Sequence, residues 1–190
     1  MRIYNFVRCS EVEGPGKRFA IWTQGCSIRC PGCFNQQAQD ASAGKEMRIT
    51  DILAEIKLAI AEHGIDGVTI AGGEPFDQAD ELDTLVCCIK FFLEGLNVLV
   101  YTGYDLGVIM VNSKQASLLE FIDVLIYGPF IKSQSPDSRR WIGSRNQGVK
   151  FNNKKLEAEL TPWPKEDFKS EIEICDSEII ICGNAVKLGE

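Results

Sequence analysis

The sequence contains a single histidine, His63, among 190 residues. This argues against a zinc hydrolase and against catalysis by a histidine general base, which both depend on histidine side chains. No apolar run reaches the roughly 20 residues that a transmembrane helix needs. The first seven residues are too few and too mixed in character for a signal peptide. We therefore expect a cytoplasmic protein that does not bind a membrane.

Excess basic charge is also missing. The chain has 20 Lys and Arg residues against 27 Asp and Glu residues, and its formal net charge is −7. Nucleic-acid binding requires a basic face, so this balance argues against a nucleic-acid partner. Repeats and low-complexity linkers are absent from the sequence as well, and the length suits one domain with its own core.

Cysteine, in contrast, is abundant, with eight residues. Because no export signal is visible, metal or redox chemistry is favoured over disulfide bonds. Cys26, Cys30 and Cys33 follow the spacing C-x3-C-x2-C in a loop rich in glycine and proline. Thiolates are the usual ligands of iron–sulfur clusters. Three cysteines would leave one iron of a four-iron cluster open to bind a substrate.

Other interpretations of these cysteines are weaker. A structural zinc site needs four ligands, and Cys9 is distant in sequence from the loop. An electron-transfer ferredoxin would close its cluster with a fourth cysteine.

Cys175 and Cys182 could face each other across a terminal hairpin, as part of a second cluster or as a redox pair, although ordinary packing on an apolar face is favoured.

The apolar pattern predicts alternating strands and helices. Strands are expected at 2–7, 18–23, 67–71, 97–101 and 123–126, and helices at 49–62, at 79–92 and up to about 121. Thr50 or Asp51 is expected to cap the first of these helices, and Gly64 to end it. Such alternation implies an α/β fold with parallel strands, whose carboxyl ends usually form the ligand site. The cysteine loop, a Gly-Gly-Glu-Pro turn and a Tyr-Thr-Gly turn all follow predicted strands.

The last third of the chain has a different character. It is more polar, and strands at 171–175 and 178–182 are expected to form a hairpin. We therefore predict a core domain over 1–150 and a small C-terminal appendage over 151–190.

Two motifs together resemble those of the radical S-adenosylmethionine (SAM) superfamily. The first is the cysteine loop, and the second is Gly72-Gly73-Glu74-Pro75 after a later strand. The resemblance implies a partial (β/α) barrel with mostly parallel strands. It also implies two cofactors, namely one 4Fe–4S cluster held by the three loop cysteines, and SAM.

The resemblance further implies the chemistry and the contacts. The open iron chelates SAM, one electron breaks the S–C5′ bond, and the resulting 5′-deoxyadenosyl radical abstracts a hydrogen atom, with no catalytic residue beyond the cofactors. The implied SAM contacts are Gly32, Cys33, Phe34, Gly72, Gly73, Glu74, Pro75 and Thr102.

A closer resemblance covers roughly residues 10–150. Segments around the cysteine loop, and at 13–18, 101–104, 123–130 and 141–147, are similar to those of glycyl-radical-enzyme activases that serve anaerobic (class III) ribonucleotide reductase. The implied partner is the large catalytic subunit of that reductase, which would receive a glycyl radical. A flavodoxin or a ferredoxin is implied as the electron donor.

Three departures from the family pattern bear on the substrate. Tyr127 replaces an acidic residue, Ile142 replaces an arginine, and the chain continues about 40 residues beyond Gln147. A radical SAM enzyme that modifies another peptide or a small molecule is therefore an alternative. A non-catalytic iron–sulfur binding module is a second alternative, although it gives no reason for the Gly-Gly-Glu-Pro turn.

Overall fold

A computed structural model describes residues 1–165, 167, 169–175 and 178–183. Its strands are β1 (Arg2–Ser10), β2 (Arg18–Thr23), β3 (Lys45–Glu46), β4 (Gly67–Gly72), β5 (Asn97–Thr102), β6 (Val124–Tyr127), β7 (Gly148–Phe151), β8 (Ser170–Cys175) and β9 (Glu178–Gly183). Its α-helices are α1 (Ile49–His63), α2 (Ala79–Phe92), α3 (Leu106–Val111), α4 (Ser113–Leu118) and α5 (Lys154–Glu159).

Within the described residues, seven strands form one sheet in the order β3-β1-β2-β4-β5-β6-β7, and β8 and β9 form a separate hairpin. Strands β2, β4, β5 and β6 run parallel to one another. Strand β1 pairs antiparallel with β2 and β3, and β7 pairs antiparallel with β6. The predicted α/β class and terminal hairpin are confirmed, but the sheet is mixed because antiparallel strands flank its parallel centre.

Helices α1 to α4 pack on one face of this sheet, whereas Leu156 of α5 packs on the other face with Leu99 and Val124. Phe19 and Ile21 of β2 point toward the first of these faces and share a buried cluster with Ile52 and Ile56 of α1. Helix α2 adds Leu82, Leu85, Val86 and Ile89, whose spacing of three and four residues places them on one side. Burying each such side chain stabilises the fold by about 1.5–3 kcal/mol.

Both ends of α1 test the sequence prediction. Gly64 ends the helix in the left-handed conformation, with φ of 62°, as predicted. The predicted cap at Thr50 or Asp51 is wrong, because the helix begins at Ile49 and Arg48 occupies the cap position. The Asp51 carboxylate instead accepts hydrogen bonds from the Arg48 guanidinium at 2.8 and 2.9 Å.

We call the opposite side of the sheet its inner face. Ala20, Trp22 and Ala71 project from β2 and β4 on this side, in alternation with the residues that face the helices. Cys182 of β9 packs against this cluster and is 2 % exposed. The C-terminal hairpin therefore covers part of the inner face.

The register of the hairpin separates its two cysteines. Cys175 lies opposite Glu178, whereas Cys182 lies opposite Glu171. The prediction that these cysteines could face each other is wrong, since they pair with different residues at opposite ends of the ladder.

Trp163 joins the predicted appendage to the rest of the chain. Its ring meets Trp141 edge-on, with ring centres 5.8 Å apart. Its indole N–H donates a hydrogen bond to the carbonyl oxygen of Arg140 at 2.7 Å. The division of the chain at residue 150 stays a prediction.

Helix lengths bear on membrane insertion. The longest helix of the described chain, α1, has 15 residues. In that part of the chain, no helix combines the length and the apolar character needed to cross a membrane.

Candidate functional site

The cysteine loop begins at the carboxyl end of β2. Its first residues are fixed by the segment that follows, because Gly25 N–H donates to Ala38 O at 2.8 Å and Cys26 N–H donates to Gln39 O at 3.2 Å. A further turn forms where Cys33 N–H donates to Cys30 O at 3.2 Å. The loop is therefore folded back on itself, and its three cysteines are all partly exposed.

Backbone N–H groups lie close to the loop thiols. The sulfur of Cys26 accepts from the N–H of Arg29 at 3.5 Å, and Arg29 has a positive φ of 51°. Burial raises the pKa of the Cys26 and Cys30 thiols, while neighbouring N–H groups favour their thiolates. N–H groups that donate to sulfur are typical of cluster ligands and tune the reduction potential.

The Gly-Gly-Glu-Pro turn lies directly against the start of this loop. Gly73 N–H donates to Thr23 O, and Glu74 N–H donates to Gly25 O, both at 2.8 Å. A Cβ at Gly73 would collide with the carbonyl oxygen of Gly25. Gly72 has a φ of 119°, and a Cβ there would collide with the backbone of Thr23. Both positions therefore require glycine for the turn and the loop to meet.

Glu74 connects the turn after β4 to the turn after β5. Its buried carboxylate accepts hydrogen bonds from Phe76 N–H at 2.9 Å, from the Thr102 hydroxyl at 2.8 Å and from Gly103 N–H at 2.8 Å. Burial raises its pKa to about 7, although these three donors favour the charged form. The Glu74 carboxylate thus holds the turns after β4 and β5 together at the site. Its direct contact with SAM stays a prediction.

Asp77 fixes the cysteine loop from the other side. Its carboxylate accepts from the N–H of Ser27 at 2.7 Å, from the Ser27 hydroxyl at 2.9 Å and from the Tyr104 hydroxyl at 2.7 Å. This role of Asp77 was not predicted from the sequence. Its one available signal was an acidic residue three positions after Glu74.

These elements line a cavity of about 830 Å³, within the range of small-molecule sites. Of the cluster and SAM residues predicted from the sequence, the cavity is lined by Cys26, Cys30, Cys33, Phe34, Gly72, Gly73, Glu74, Pro75 and Thr102. Gly32 is not among the lining residues. A Cβ at Gly32 would lie 2.8 Å from the side chain of Lys132, so Gly32 faces that lysine.

The donor set suits a cluster better than a single ion. Among the described residues, no three His, Cys, Asp or Glu side chains converge on a point that would hold one metal ion. Each thiolate of a four-iron cluster binds a different iron atom. The thiolates are therefore spaced around the cluster and need not converge on a single point. Three thiols on one wall of a large cavity, beside the glycine backbone of residues 72 and 73, fit a cluster with an adjacent ligand.

The segment that follows β6 folds around Gln147. Its side-chain oxygen accepts from Gly143 N–H at 2.9 Å and from Ser144 N–H at 3.1 Å, and its amide donates to Gly128 O at 3.0 Å. Ile142, which departs from the family pattern, is 3 % exposed and packs with Leu99 and other apolar residues. An apolar residue at position 142 is therefore part of the core.

Arg18 is the last residue of the family-like segment 13–18. It begins β2, at the opposite end of the strand from the cysteine loop. Its guanidinium is fully buried and donates to Thr69 Oγ1 at 2.6 Å, to Asn97 Oδ1 at 2.7 Å and to Val68 O at 2.7 Å. Burial lowers its pKa to about 10. This residue supports the sheet and is remote from the cysteine loop.

A cysteine loop and a glycine turn, joined at neighbouring strand ends over one cavity, define a single-cluster iron–sulfur protein. A family described as "4Fe-4S single cluster domain" matches residues 12–150.

Several curated relatives share one name, anaerobic ribonucleoside-triphosphate reductase-activating protein. The relative from Vibrio cholerae is 31% identical over 155 residues, covering 78% of this chain and 97% of the relative. Those from Salmonella typhimurium (30% over 155 residues, 78% and 97% covered) and Haemophilus influenzae (32% over 144 residues, 72% and 88% covered) are similar. The chain belongs to this family of activating proteins, which confirms the resemblance seen in its sequence.

Proposed function

We propose that this chain is a radical SAM activase. It removes a hydrogen atom from a glycine Cα of the large catalytic subunit of anaerobic ribonucleotide reductase and leaves a glycyl radical there. The observation that carries this proposal is the hydrogen bond from Glu74 N–H to Gly25 O, which joins the Gly-Gly-Glu-Pro turn to the cysteine loop over one cavity. The name shared by the relatives supports the choice of reductase.

Cys26, Cys30 and Cys33 are the proposed cluster ligands, and they leave one iron for SAM. When bound, the reduced cluster and SAM supply the one-electron S–C bond cleavage that makes hydrogen abstraction possible. The protein's own part is to hold the cluster, to orient SAM and to keep water away from the reacting atoms.

Orientation is the task of the residues around the two glycines. With no side chain at Gly72 and Gly73, a ligand can approach the backbone closely. Phe34, Pro75 and Thr102 line the cavity beside them, and we assign all these residues, with Cys33 and Glu74, to SAM binding. Contact of Gly32 with SAM stays a prediction, because Gly32 faces Lys132. Apolar walls exclude water, and they include Trp22, Tyr101 and Phe130.

The fold suits a polypeptide substrate. We assign the open seven-stranded sheet to the partial (β/α) barrel of radical SAM proteins, with residues 1–150 as its core domain. The sheet does not close into a full barrel, because β3 and β7 are its edge strands, and we propose that a glycine-bearing loop enters through this opening. The proposed setting is the cytoplasm, with a flavodoxin or a ferredoxin as electron donor.

Electron paramagnetic resonance (EPR) tests the proposal. The protein is loaded with its cluster without oxygen, reduced, and mixed with SAM and the large reductase subunit from the same genome. We expect a glycyl-radical doublet together with 5′-deoxyadenosine.

Matched variants give the control. Cys30→Ala removes a proposed ligand and should abolish both signals, whereas Cys88→Ala, in α2, should retain them. Deoxyadenosine without a doublet would contradict the choice of reductase. If a protein with a full cluster formed neither deoxyadenosine nor a glycyl radical, this result would contradict the enzyme activity itself.

A further inference from the structure

One face of the C-terminal hairpin is fixed to the rest of the protein. Gly183 N–H donates to a carboxylate oxygen of Glu13 at 2.5 Å, and Glu11 N–H donates to the Glu171 carboxylate at 3.0 Å. On the same face, Cys182 is buried against Val12 and neighbouring residues. These contacts hold the hairpin in place against the inner face of the sheet.

The other face presents isoleucine side chains. Ile172 and Ile181 lie directly opposite each other in the ladder, and Ile179 lies two residues before Ile181 on the same strand. Their exposed fractions are 67 % for Ile172, 67 % for Ile179 and 51 % for Ile181. A group of large, exposed apolar side chains is typical of a surface that binds a partner or a ligand.

This isoleucine face is exposed and borders the cavity. Ile172, Ile179 and Ile181 line the same cavity as the three loop cysteines. The family match ends at residue 150, before the hairpin begins. The alignment with the Vibrio cholerae relative covers 97% of that relative but only 78% of this chain. The hairpin therefore borders a cavity whose loop cysteines and Gly-Gly-Glu-Pro turn lie within the matched domain.

The occupant follows from the reaction, and so the inference rests on the proposed function. The glycine must enter the cavity to reach SAM, so the polypeptide on either side of it must pass the cavity walls. SAM carries several charged and polar groups, and isoleucine side chains offer these no hydrogen bonds. An extended segment with apolar side chains next to its glycine matches the isoleucine face.

We propose that Ile172, Ile179 and Ile181 bind the glycine-bearing segment of the polypeptide substrate and select it by apolar contact. The hairpin is then the specificity element of this chain. Cluster binding and SAM binding depend on residues of the matched domain.

The test replaces all three isoleucines by threonine, which keeps the β-branched shape that strands favour. The control variant, Val108→Thr/Val111→Thr, changes residues of α3 that are 50 % and 86 % exposed and lie outside the cavity lining. Iron content and SAM affinity are measured first for both variants, to establish that each is folded and loaded. The rate of glycyl-radical formation is then measured by EPR against the concentration of the large reductase subunit, with the dissociation constant of the two proteins.

We expect the hairpin variant to bind the reductase at least tenfold more weakly, while the control variant matches the unmodified protein. Equal affinity and equal rates in all three proteins would overturn the hairpin inference and leave the proposed function intact. If the unmodified protein forms deoxyadenosine but no glycyl radical on the reductase, the proposed function fails, and the inference fails with it.

Discussion

The carboxylate of Asp77 is bound to Ser27 twice, by the backbone N–H at 2.7 Å and by the hydroxyl at 2.9 Å. Ser27 directly follows the first cysteine of the loop, and Asp77 lies just after the Gly-Gly-Glu-Pro turn. The same carboxylate accepts from the Tyr104 hydroxyl, which belongs to the turn after β5. Three strand ends are thus joined by hydrogen bonds around the thiols, so the turns after β4 and β5 hold the cysteine loop in shape.

Replacing Asp77 by asparagine should speed the loss of the cluster. An amide has one acceptor oxygen, so part of the bonding to Ser27 is lost. With about 0.5–1.5 kcal/mol per hydrogen bond, cluster loss should accelerate roughly two- to tenfold. The measurement is the decay of cluster absorbance with an iron chelator under anaerobic conditions. Tyr104→Phe leaves both Asp77–Ser27 bonds in place and removes only the contacts of the Tyr104 hydroxyl with Asp77 and the Ser27 hydroxyl, so it should have a smaller effect. Equal decay in all three proteins would contradict this role.

Replacing Gly73 by alanine should weaken SAM binding. The added Cβ would collide with the carbonyl oxygen of Gly25, so the turn and the loop must move apart. Overpacking of this kind costs about 1–3 kcal/mol, which corresponds to a loss of affinity of roughly five- to 150-fold. SAM affinity is measured from the change that SAM causes in the EPR signal of the reduced cluster. Gly107→Ala has no atom within 4 Å of the new Cβ and should bind SAM normally. Unchanged affinity in Gly73→Ala would show that the close contact is not needed.

Glu74 should make stability depend on pH. Its pKa is raised from 4.5 to about 7 in the folded protein, so the fold binds this proton more tightly than the unfolded chain does. The stabilisation is complete below pH 4.5 and is lost as the pH rises through about 7. The free energy of unfolding of the cluster-free chain, minus that of Glu74→Gln, should therefore be larger at pH 5 than at pH 8.

Denaturant titrations at the two pH values give this difference. Glu81→Gln, an exposed position on α2, is the control and should show little change with pH. If the difference in free energy of unfolding between the unmodified chain and Glu74→Gln stayed constant or grew with pH, the Glu74 carboxyl would be charged at both pH values.

Arg18→Lys should destabilise the sheet without touching the cofactor site. A lysine ammonium cannot reach Thr69, Asn97 and the Val68 carbonyl together, and leaving buried acceptors unpaired costs about 1–3 kcal/mol. The denaturation midpoint should fall, while SAM affinity stays the same. Arg8→Lys alters an arginine that pairs with Glu55 and is 39% exposed, and it should cost less than about 1 kcal/mol. Equal midpoints for the two variants would refute the structural role of Arg18.

Most strands and helices over 18–127 could be predicted because their apolar residues follow a clear pattern, although the helical stretch expected up to about 121 is divided into α3 and α4. All six residues of β2 are buried, and α2 was predicted at its observed bounds. Strand β7 was missed because it has four residues, each only partly buried. Strand β3 was missed because its two residues are exposed and take their conformation from pairing with β1.

The site divides in a similar way. Cys26, Cys30, Cys33, Gly72 and Gly73 are recognisable because their chemistry depends on residue type and local spacing. The role of Asp77 depends on where two distant turns meet, which no local pattern specifies. The hairpin strands were predicted from their alternation, but their position on the cavity follows from packing against Val12 and Glu13, far away in sequence.

The central claim is that this chain takes a hydrogen atom from a glycine of the reductase. The most direct measurement uses a large reductase subunit labelled with deuterium at its glycine Cα positions, together with mass spectrometry of the 5′-deoxyadenosine that is formed. The account predicts one deuterium in the product, matched by a glycyl radical on the reductase. Deoxyadenosine without deuterium, from a fully loaded protein bound to the reductase, would contradict it.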